Sequence, residues 1–181
     1  MLVSVVVGAL WVVLPAYLPN NAAVVAGGGR PIDGGATWRG RRVLGDGKTW
    51  RGTAVGTAVG TLAAVGLNAV ADPLGTAVGV TLPTIQFPAA AVGLALGAMV
   101  GDIAASFLKR RLDRERGAAV PGLDQLDFLI GALALAALAA PAWFGAVFTL
   151  PRLAVVVLAT PVLHVATNVV AYQLGLKDEP W

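Results

Sequence analysis

The first candidate for a catalytic residue is an aspartate inside an apolar stretch. Asp102 is followed at helical spacing by Ser106 and then by Lys109 and Arg110, and residues three or four apart share one face of a helix. A carboxylate within a hydrophobic helix costs roughly 3 kcal/mol, so Asp102 should face a wet cavity, a cation or a basic partner. A salt bridge to a loop arginine explains Asp102 alone equally well.

A second acidic pair, Asp124 and Asp127, opens the next apolar stretch. Aspartate also caps helix N-termini, which explains one member of the pair better than both. The loop between the two stretches is short, so we expect Asp102 near this pair. Three crowded carboxylates repel unless a cation joins them. Oxygen ligands without His or Cys suit Mg²⁺, which is typically held by one or two carboxylates together with substrate phosphates.

A glycine-rich polar segment precedes the second apolar stretch. It ends in Gly47-Lys48-Thr49, with Arg51 close behind. A P-loop is excluded, because the position of its first glycine holds Arg42 and no βαβ unit surrounds it. Exposed backbone N–H groups beside a lysine and an arginine, just before a helix N-terminus, nevertheless predict phosphate binding.

The elements that carry these residues are those of a membrane protein. The chain has 181 residues, of which 57% are hydrophobic and only 13% charged, and its mean hydropathy is +0.77. A soluble domain has about a quarter charged residues, and a transmembrane helix needs about 20 apolar residues. The sequence therefore predicts an all-α integral membrane protein, a single domain over residues 1–181. Its five predicted spans are about 1–26, 53–71, 84–107, 125–148 and 152–176.

The basic residues indicate how the chain is oriented. Eleven of the thirteen Lys and Arg residues fall within 30–51 and 109–116. Because short cytoplasmic loops are enriched in Lys and Arg, both polar loops and the C-terminal Lys177 are predicted to be cytoplasmic. The N-terminus is then outside, since the first stretch lacks the basic start of a signal peptide. This topology accounts for the basic pI without a nucleic-acid partner, and it predicts a cell-membrane protein with its active site on the cytoplasmic side.

Two stripes of glycine recur every four residues. Such stripes let helix backbones approach closely in lipid, and we expect them to pack within one bundle rather than to form a dimer seam. They comprise Gly52, Gly56, Gly60, Gly93, Gly97 and Gly101.

Isolated polar residues also occur in the first and last spans. His164 and Asn168 are four residues apart, and Asn20 and Asn21 end the first span. A lone intramembrane histidine is more often a hydrogen-bonded packing residue than a catalyst. These residues can also line the same polar cavity as the carboxylates.

Three motifs resemble a known family. The motifs are Pro31-x-Asp33-Gly34-Gly35 through Gly45-Asp46-Gly47-Lys48-Thr49-Trp50-Arg51-Gly52, Gly101-Asp102-x3-Ser106-Phe107-x-Lys109-Arg110-Arg111, and Arg116-Gly117-x3-Pro121-x2-Asp124-Gln125-Leu126-Asp127-Phe128. They resemble the archaeal CDP-archaeol synthases, and more distantly the CDP-diacylglycerol synthases.

The resemblance implies an activity and a set of site residues. The activity is Mg²⁺-dependent transfer of a cytidylyl group from CTP to an unsaturated archaeal ether-lipid phosphate, giving CDP-archaeol and pyrophosphate. The implied metal ligands and catalytic carboxylates are Asp102, Asp124 and Asp127, with Lys48 and Lys109 also catalytic. The implied nucleotide-binding residues are Asp46, Gly47, Lys48, Thr49, Arg51, Lys109 and Arg110. The implied lipid-phosphate or cavity residues are Asn21, Asp33, Ser106, His164 and Asn168.

Two other functions fit parts of the pattern. A lipid or polyprenol kinase would use the same anion-binding and Mg²⁺ chemistry but would release a nucleoside diphosphate. A transporter of an anionic solute would need polar groups through the full thickness of the membrane, whereas the charges here crowd toward one side. No protein partner is predicted.

Overall fold

The structure, a computed structural model, describes residues 2–112 and 122–173, without the side chains of Leu123, Asn168 and Ala171. Helices dominate this part of the chain, and a short hairpin interrupts the loop after the first helix. The elements are α1 (Leu2–Ala26), β1 (Thr37–Trp38), β2 (Arg41–Arg42), α2 (Trp50–Val78), α3 (Ala89–Arg111), α4 (Leu123–Ala139), α5 (Pro141–Val147) and α6 (Leu150–Gln173).

Four of these helices are long and apolar enough to cross a membrane. They are α1, α2, α3 and the Leu150–Thr167 part of α6. The helical membrane architecture predicted from hydropathy is therefore confirmed, whereas the fifth crossing and the orientation stay predictions. The basic residues Arg114 and Arg116, the Pro121 of the third motif and the C-terminal Lys177 lie outside the described residues.

Helix α1 matches the predicted first span, but α2 is longer than predicted at both ends. It begins at Trp50 because the Thr49 hydroxyl accepts a hydrogen bond from the Gly52 N–H at 3.0 Å and caps the helix. It ends where Gly79 adopts a left-handed conformation with φ 68°, which glycine tolerates best. Capping chemistry, rather than hydropathy, sets both ends.

Helix α3 begins at Ala89, so the predicted start at residue 84 is wrong. The backbone of Ile85 is held instead by a side chain of α2: Asn68 donates from Nδ2 to the Ile85 carbonyl at 2.7 Å and accepts the Ile85 N–H at 2.8 Å. Ile85 is 1% exposed. The loop between α2 and α3 is thus drawn into the bundle, where the Asn68 amide replaces a helical hydrogen-bond partner.

Replacing Asn68 with Leu is expected to destabilise the fold by about 2 kcal/mol or more, because it leaves two buried backbone groups of Ile85 unsatisfied. The measurement is the midpoint of thermal unfolding in detergent, followed by circular dichroism. The matched control is Thr76→Val, since the Thr76 hydroxyl donates to the carbonyl of Asp72 in its own helix. Equal midpoints for the two variants would contradict a structural role for Asn68.

The predicted span 125–148 is two helices. Ala140 has φ −142° and ψ 63° and separates α4 from α5, and Pro141 is the first residue of α5. The residue before a proline avoids the helical region, so the chain turns at this point. Helix α6 then begins at Leu150, two residues before the prediction, and residues 174–176 of the predicted span are not described.

The glycine stripes pack within the bundle, as predicted. A Cβ at Gly56 would lie 2.6 Å from the Pro19 carbonyl oxygen and 2.7 Å from the Met99 sulfur, so α1, α2 and α3 meet at this residue. A Cβ at Gly97 would lie 2.7 Å from the Cα of Ala132. The missing side chains let α3 and α4 approach backbone to backbone, which places the polar ends of these helices side by side.

Candidate active site

A cavity of about 520 Å³ lies among α1, α2, α3, α4 and α6, beside the loop that carries the hairpin. Five charged side chains reach its wall from three elements. Lys48 comes from the loop, Asp102 and Lys109 from α3, and Asp124 and Asp127 from the first turns of α4. The three carboxylates predicted to lie near one another therefore line one cavity, together with both lysines.

Two of the three carboxylates form ion pairs with the lysines. The Lys48 Nζ lies 2.5 Å from Asp102 Oδ2, and the Lys109 Nζ lies 2.5 Å from Asp124 Oδ1. Each of the four side chains retains between 21% and 25% exposure. The salt-bridge explanation of Asp102 is thus correct in kind, with Lys48 as the partner instead of an arginine. Both pairs tie α3 to a neighbouring element.

Asp127 is placed by a close approach of α3 and α4 at Gly101. Its carbonyl oxygen lies against Gly101, and the Asp127 carbonyl carbon would be 2.9 Å from a Cβ on that glycine. The Asp127 Oδ1 accepts a hydrogen bond from the Phe128 N–H at 2.6 Å. Because Gly101 immediately precedes Asp102, this contact brings the carboxylates of the two helices to one wall.

Asp33 organises the loop that leads to Lys48. Its side chain is only 2% exposed and accepts from the Arg42 guanidinium at 2.8 Å. It also accepts the N–H groups of Leu44 at 3.0 Å and Gly45 at 3.2 Å. Arg42 reaches further to Asp46 Oδ1 at 2.6 Å. The Arg42 guanidinium, aided by these backbone donors, holds the pKa of the Asp33 carboxyl well below its usual range.

The stability contributed by Asp33 should depend on pH in a defined direction. A lowered pKa in the folded state means that the ionised form stabilises the fold, fully so above the unfolded value of about 3.9. The contribution fades as the pH falls below that value and through the folded pKa. We therefore expect Asp33→Asn to lower the thermal midpoint by a constant amount from pH 7 to about 4.5.

Below about pH 4 the thermal midpoints of the wild type and of Asp33→Asn should converge, because the Asp33 carboxyl becomes protonated and no longer stabilises the fold. The check is a series of melting curves of both proteins across this pH range. A difference that widens as the pH falls would reverse the sign and contradict the role of Asp33.

The donor set can be compared with what Mg²⁺ requires. Within residues 2–112 and 122–173, no three Asp, Glu, His or Cys side chains are close enough together to hold a metal ion by themselves. Mg²⁺ typically takes one or two carboxylates and completes its ligands with substrate phosphates. Carboxylate oxygens on one cavity wall fit that requirement. Lys48 and Lys109 neutralise two of the three carboxylates, and a metal would join together with the substrate.

Comparisons with known proteins extend over nearly the whole chain. The family described as CarS-like CDP-archaeol synthase matches residues 2–181. A CDP-archaeol synthase of Haloarcula marismortui is 68% identical over 99% of this chain and 98% of its own length. One from Archaeoglobus fulgidus is 45% identical over 99% of this chain and its entire length of 100%. The chain belongs to the CDP-archaeol synthase family.

A solved structure agrees with the family assignment. It is described as an intramembrane enzyme for archaeal membrane lipids biosynthesis, and it is 40% identical to this chain with a TM-score of 0.72. The match covers 91% of this chain and 94% of the other. The resemblance drawn from the three motifs is therefore confirmed, and so is the membrane-embedded, lipid-synthesising class of enzyme.

The structure brings most of the predicted CDP-archaeol synthase site residues to the cavity wall. Besides the five charged side chains, these are Gly47, Thr49, Asn21 and His164. The Thr49 side chain serves as the N-cap of α2. The side chain of Asn168 is outside the described part of the chain.

Five predicted site residues are not part of the cavity wall: Asp33, Asp46, Arg51, Ser106 and Arg110. Asp33 and Asp46 instead bind Arg42 within the loop. Arg51 is exposed on the first turn of α2. Helical spacing predicted that Ser106 would lie on the same face of α3 as Asp102. Of the other residues on that face, Lys109 lines the cavity with Asp102, whereas Ser106 does not.

Sequence reasoning missed several neutral members of the wall, including Tyr17, Thr53 and Phe128, whereas Asn20 lies there as expected. Tyr17 bonds through its hydroxyl to Thr160 at 2.7 Å and joins α1 to α6. The Oδ1 of Asn20 is buried with no hydrogen-bond partner among the described residues. The sequence of α1 could have indicated this wall, because Tyr17, Asn21 and Val24 follow the spacing of one helix face.

Proposed function

We propose that the chain transfers the cytidylyl group of CTP to the phosphate of a di-geranylgeranyl glycerol ether lipid, and that the reaction takes place in the charged cavity. One observation carries the proposal: two lysines and three aspartates from three elements line a single cavity whose wall also includes apolar residues of α1 and α6. A water-soluble polyanion and a lipid phosphate can both reach such a place.

The two lysines are proposed to bind the triphosphate. Each is held by a carboxylate at 2.5 Å, so both are already positioned when the nucleotide arrives. Phosphate oxygens can then replace the carboxylate oxygens as acceptors. Gly47 and the N-terminus of α2 lie beside Lys48, and the N–H groups at a helix N-terminus favour anions.

The carboxylates that the lysines release are proposed to bind Mg²⁺ together with the nucleotide. Asp102, Asp124 and Asp127 are the proposed ligands, of which one or two suffice when phosphates complete the set. A bound Mg²⁺ would stabilise the negative charge on the departing pyrophosphate.

The lipid is proposed to enter between α1 and α6. The cavity wall here includes Val24, which is 81% exposed, and Leu163 and Leu14, which are 39% and 37% exposed. We propose that these exposed apolar side chains contact the lipid tails. His164 and Asn21 stand near this opening, and we propose that they contact the lipid phosphate.

The protein needs only to position the two reactants and to offset their negative charges. A phosphomonoester with a second pKa near 6 is largely ionised at neutral pH, so the nucleophile needs no general base. Its oxygen attacks the α-phosphorus of CTP, the bond from that phosphorus to the β-phosphate bridging oxygen breaks, and pyrophosphate departs with the electron pair. The residues hold the two anions in line and offset their repulsion.

The membrane topology forms part of the proposal. Helices α4 and α5 together span residues Leu123–Val147, which is long enough for the fifth crossing despite the turn at Ala140. With five crossings, the charge asymmetry of the sequence supports an N-terminus outside and a cavity on the cytoplasmic side, where CTP is available.

The test uses the purified protein in detergent with Mg²⁺, a geranylgeranyl ether lipid phosphate and CTP labelled on the α- or the γ-phosphate. We expect the α-label to move into the organic phase with an equal amount of pyrophosphate. Movement of the γ-label, with release of CDP, would instead indicate a kinase. Absence of transfer from either position would contradict both enzyme functions.

A further inference from the structure

The hairpin formed by β1 and β2 is clamped to the end of α3 by one side chain. Arg111, the last residue of α3, donates from Nη1 to the Trp38 carbonyl and from Nη2 to the Arg42 carbonyl, each at 2.9 Å. Trp38 lies in β1 and Arg42 in β2, so a single guanidinium binds both strands. It thereby closes the hairpin and attaches it to the helix.

Aromatic contacts reinforce the clamp. The Trp38 ring stacks on Phe107 of α3 with a centroid distance of 6.0 Å and an angle of 19°. The Arg111 guanidinium lies 5.0 Å from the centre of the Trp38 ring and 5.4 Å from that of Phe107. Such cation–π contacts add to hydrogen bonds where a planar cation covers a ring.

The loop meets α3 a second time at the active site. After the hairpin the chain runs through Gly45, Asp46 and Gly47 to Lys48, whose Nζ meets Asp102. Asp102 and Arg111 are nine residues apart on the same helix, which separates the two attachments by about 13 Å. The loop is bonded within itself, because the Asp33 carboxylate accepts the Gly45 N–H at 3.2 Å and the Ile32 N–H donates to the Lys48 carbonyl at 2.9 Å. The position of Lys48 relative to Asp102 therefore depends on how this loop is attached to α3.

We propose that Arg111 is a positioning residue for Lys48. By fixing the hairpin to α3, it anchors the Gly45–Gly47 linker at one end, and Lys48 then reaches the cavity in one orientation relative to Asp102. This inference rests on the triphosphate-binding role proposed for Lys48. Arg111 itself is not in the cavity wall and acts through the loop.

The clamp requires arginine specifically. Two carbonyl oxygens on different strands are bound by two terminal nitrogens of one rigid planar group, and the same plane covers an aromatic ring. A lysine ammonium is a point charge on a flexible stem and reproduces neither feature fully. Arg111→Lys should therefore be intermediate between the wild type and Arg111→Gln.

The activity test is a double-mutant cycle. Arg111→Gln is expected to lower kcat by about 10- to 100-fold in the wild-type background, the usual loss on removing a residue that orients a functional group. In a Lys48→Met background the same change should cost less than about threefold, since residues that act through one another are not additive. Arg39→Gln is the control, because Arg39 also lies over the Trp38 ring, at 5.8 Å, yet is exposed.

A second measurement tests the attachment of the hairpin to α3 independently of enzyme activity. The chain has no cysteine, so nitroxide labels can be attached to cysteines introduced at Thr37 on the hairpin and Leu62 on α2, both of which are exposed. Double electron–electron resonance should give a narrow distribution of the distance between the two labels in the wild type and in Arg39→Gln, and a broad one in Arg111→Gln. If Arg111→Gln does not fold, Arg111→Lys should still broaden the distribution and lower kcat in part.

The outcomes separate the possibilities. Equal losses of kcat with and without Lys48, or an unchanged distance distribution, would overturn the inference. Full activity of Lys48→Met beside a broadened distribution would overturn the role proposed for Lys48, and with it the positioning role, while the clamp itself would stand. Broadening together with a loss of kcat that depends on Lys48 is the result expected.

Discussion

Asp124→Asn is expected to lower kcat by about 10² to 10³-fold while the bundle stays folded. The change keeps the shape of the side chain but removes its charge, and preorganised charges at a reacting phosphate are worth losses of about this size. Asp124 lies 2.5 Å from Lys109, so the variant removes one proposed metal ligand and also the partner that orients a proposed phosphate-binding lysine. The measurement is initial rates of lipid labelling at saturating CTP.

The Mg²⁺ dependence separates these two effects. If Asp124 binds the metal, the concentration of Mg²⁺ that gives half the maximal rate should rise in the variant. Asp72→Asn is the control, since Asp72 is exposed on α2 and lines a separate hollow with Gly79 and Leu82. A rate for Asp124→Asn within about tenfold of the control would remove this carboxylate from the catalytic site.

Gly101→Ala is expected to separate α3 from α4 and to destroy the site with little chemical change. The new Cβ would lie 2.9 Å from the Asp127 carbonyl carbon and 3.1 Å from the Phe128 Cα. Both are backbone atoms and cannot rotate away, so the helices must move. Overpacking of this kind typically costs 1–3 kcal/mol and occasionally more, and here it displaces Asp102 and Asp127 together.

The same substitution elsewhere should be harmless. A Cβ at Gly66 of α2 would meet no atom within 4 Å, and alanine is the better helix former by about 1 kcal/mol. Gly66→Ala should therefore keep full activity and an unchanged or higher thermal midpoint, while Gly101→Ala loses both. Comparable midpoints and rates for the two alanine variants would show that the tight contact at Gly101 is not required.

The helix ends illustrate where sequence reasoning stopped. Hydropathy located each apolar stretch because burial in lipid depends on composition over about 20 residues. It missed the start of α3 by five residues and the turn at Ala140, since these depend on single contacts. The Asn68 amide that binds Ile85 is seventeen residues away in the chain, and no local pattern announces such a pairing.

The site residues divide in the same way. Asp102, Asp124, Asp127, Lys48 and Lys109 were predictable because a charge beside an apolar helix is costly and needs a reason. Asp33 was expected at the site from a motif alone, and Ser106 and Arg110 from a motif together with helical spacing, yet all three lie outside the cavity wall. Motif membership identifies residues that matter together without saying which of them face the reacting groups.

The sequence by itself determined the membrane class, the family and the residue types available for chemistry, because composition, motifs and the cost of buried charge act along the chain. Only the tertiary structure determined which of these residues contact one another. Lys48 meets Asp102 across fifty-four positions, and Arg111 meets the hairpin across about seventy. Hydrogen bonds and close ion pairs form only at short distances, so they depend on contacts that exist only once the helices have packed.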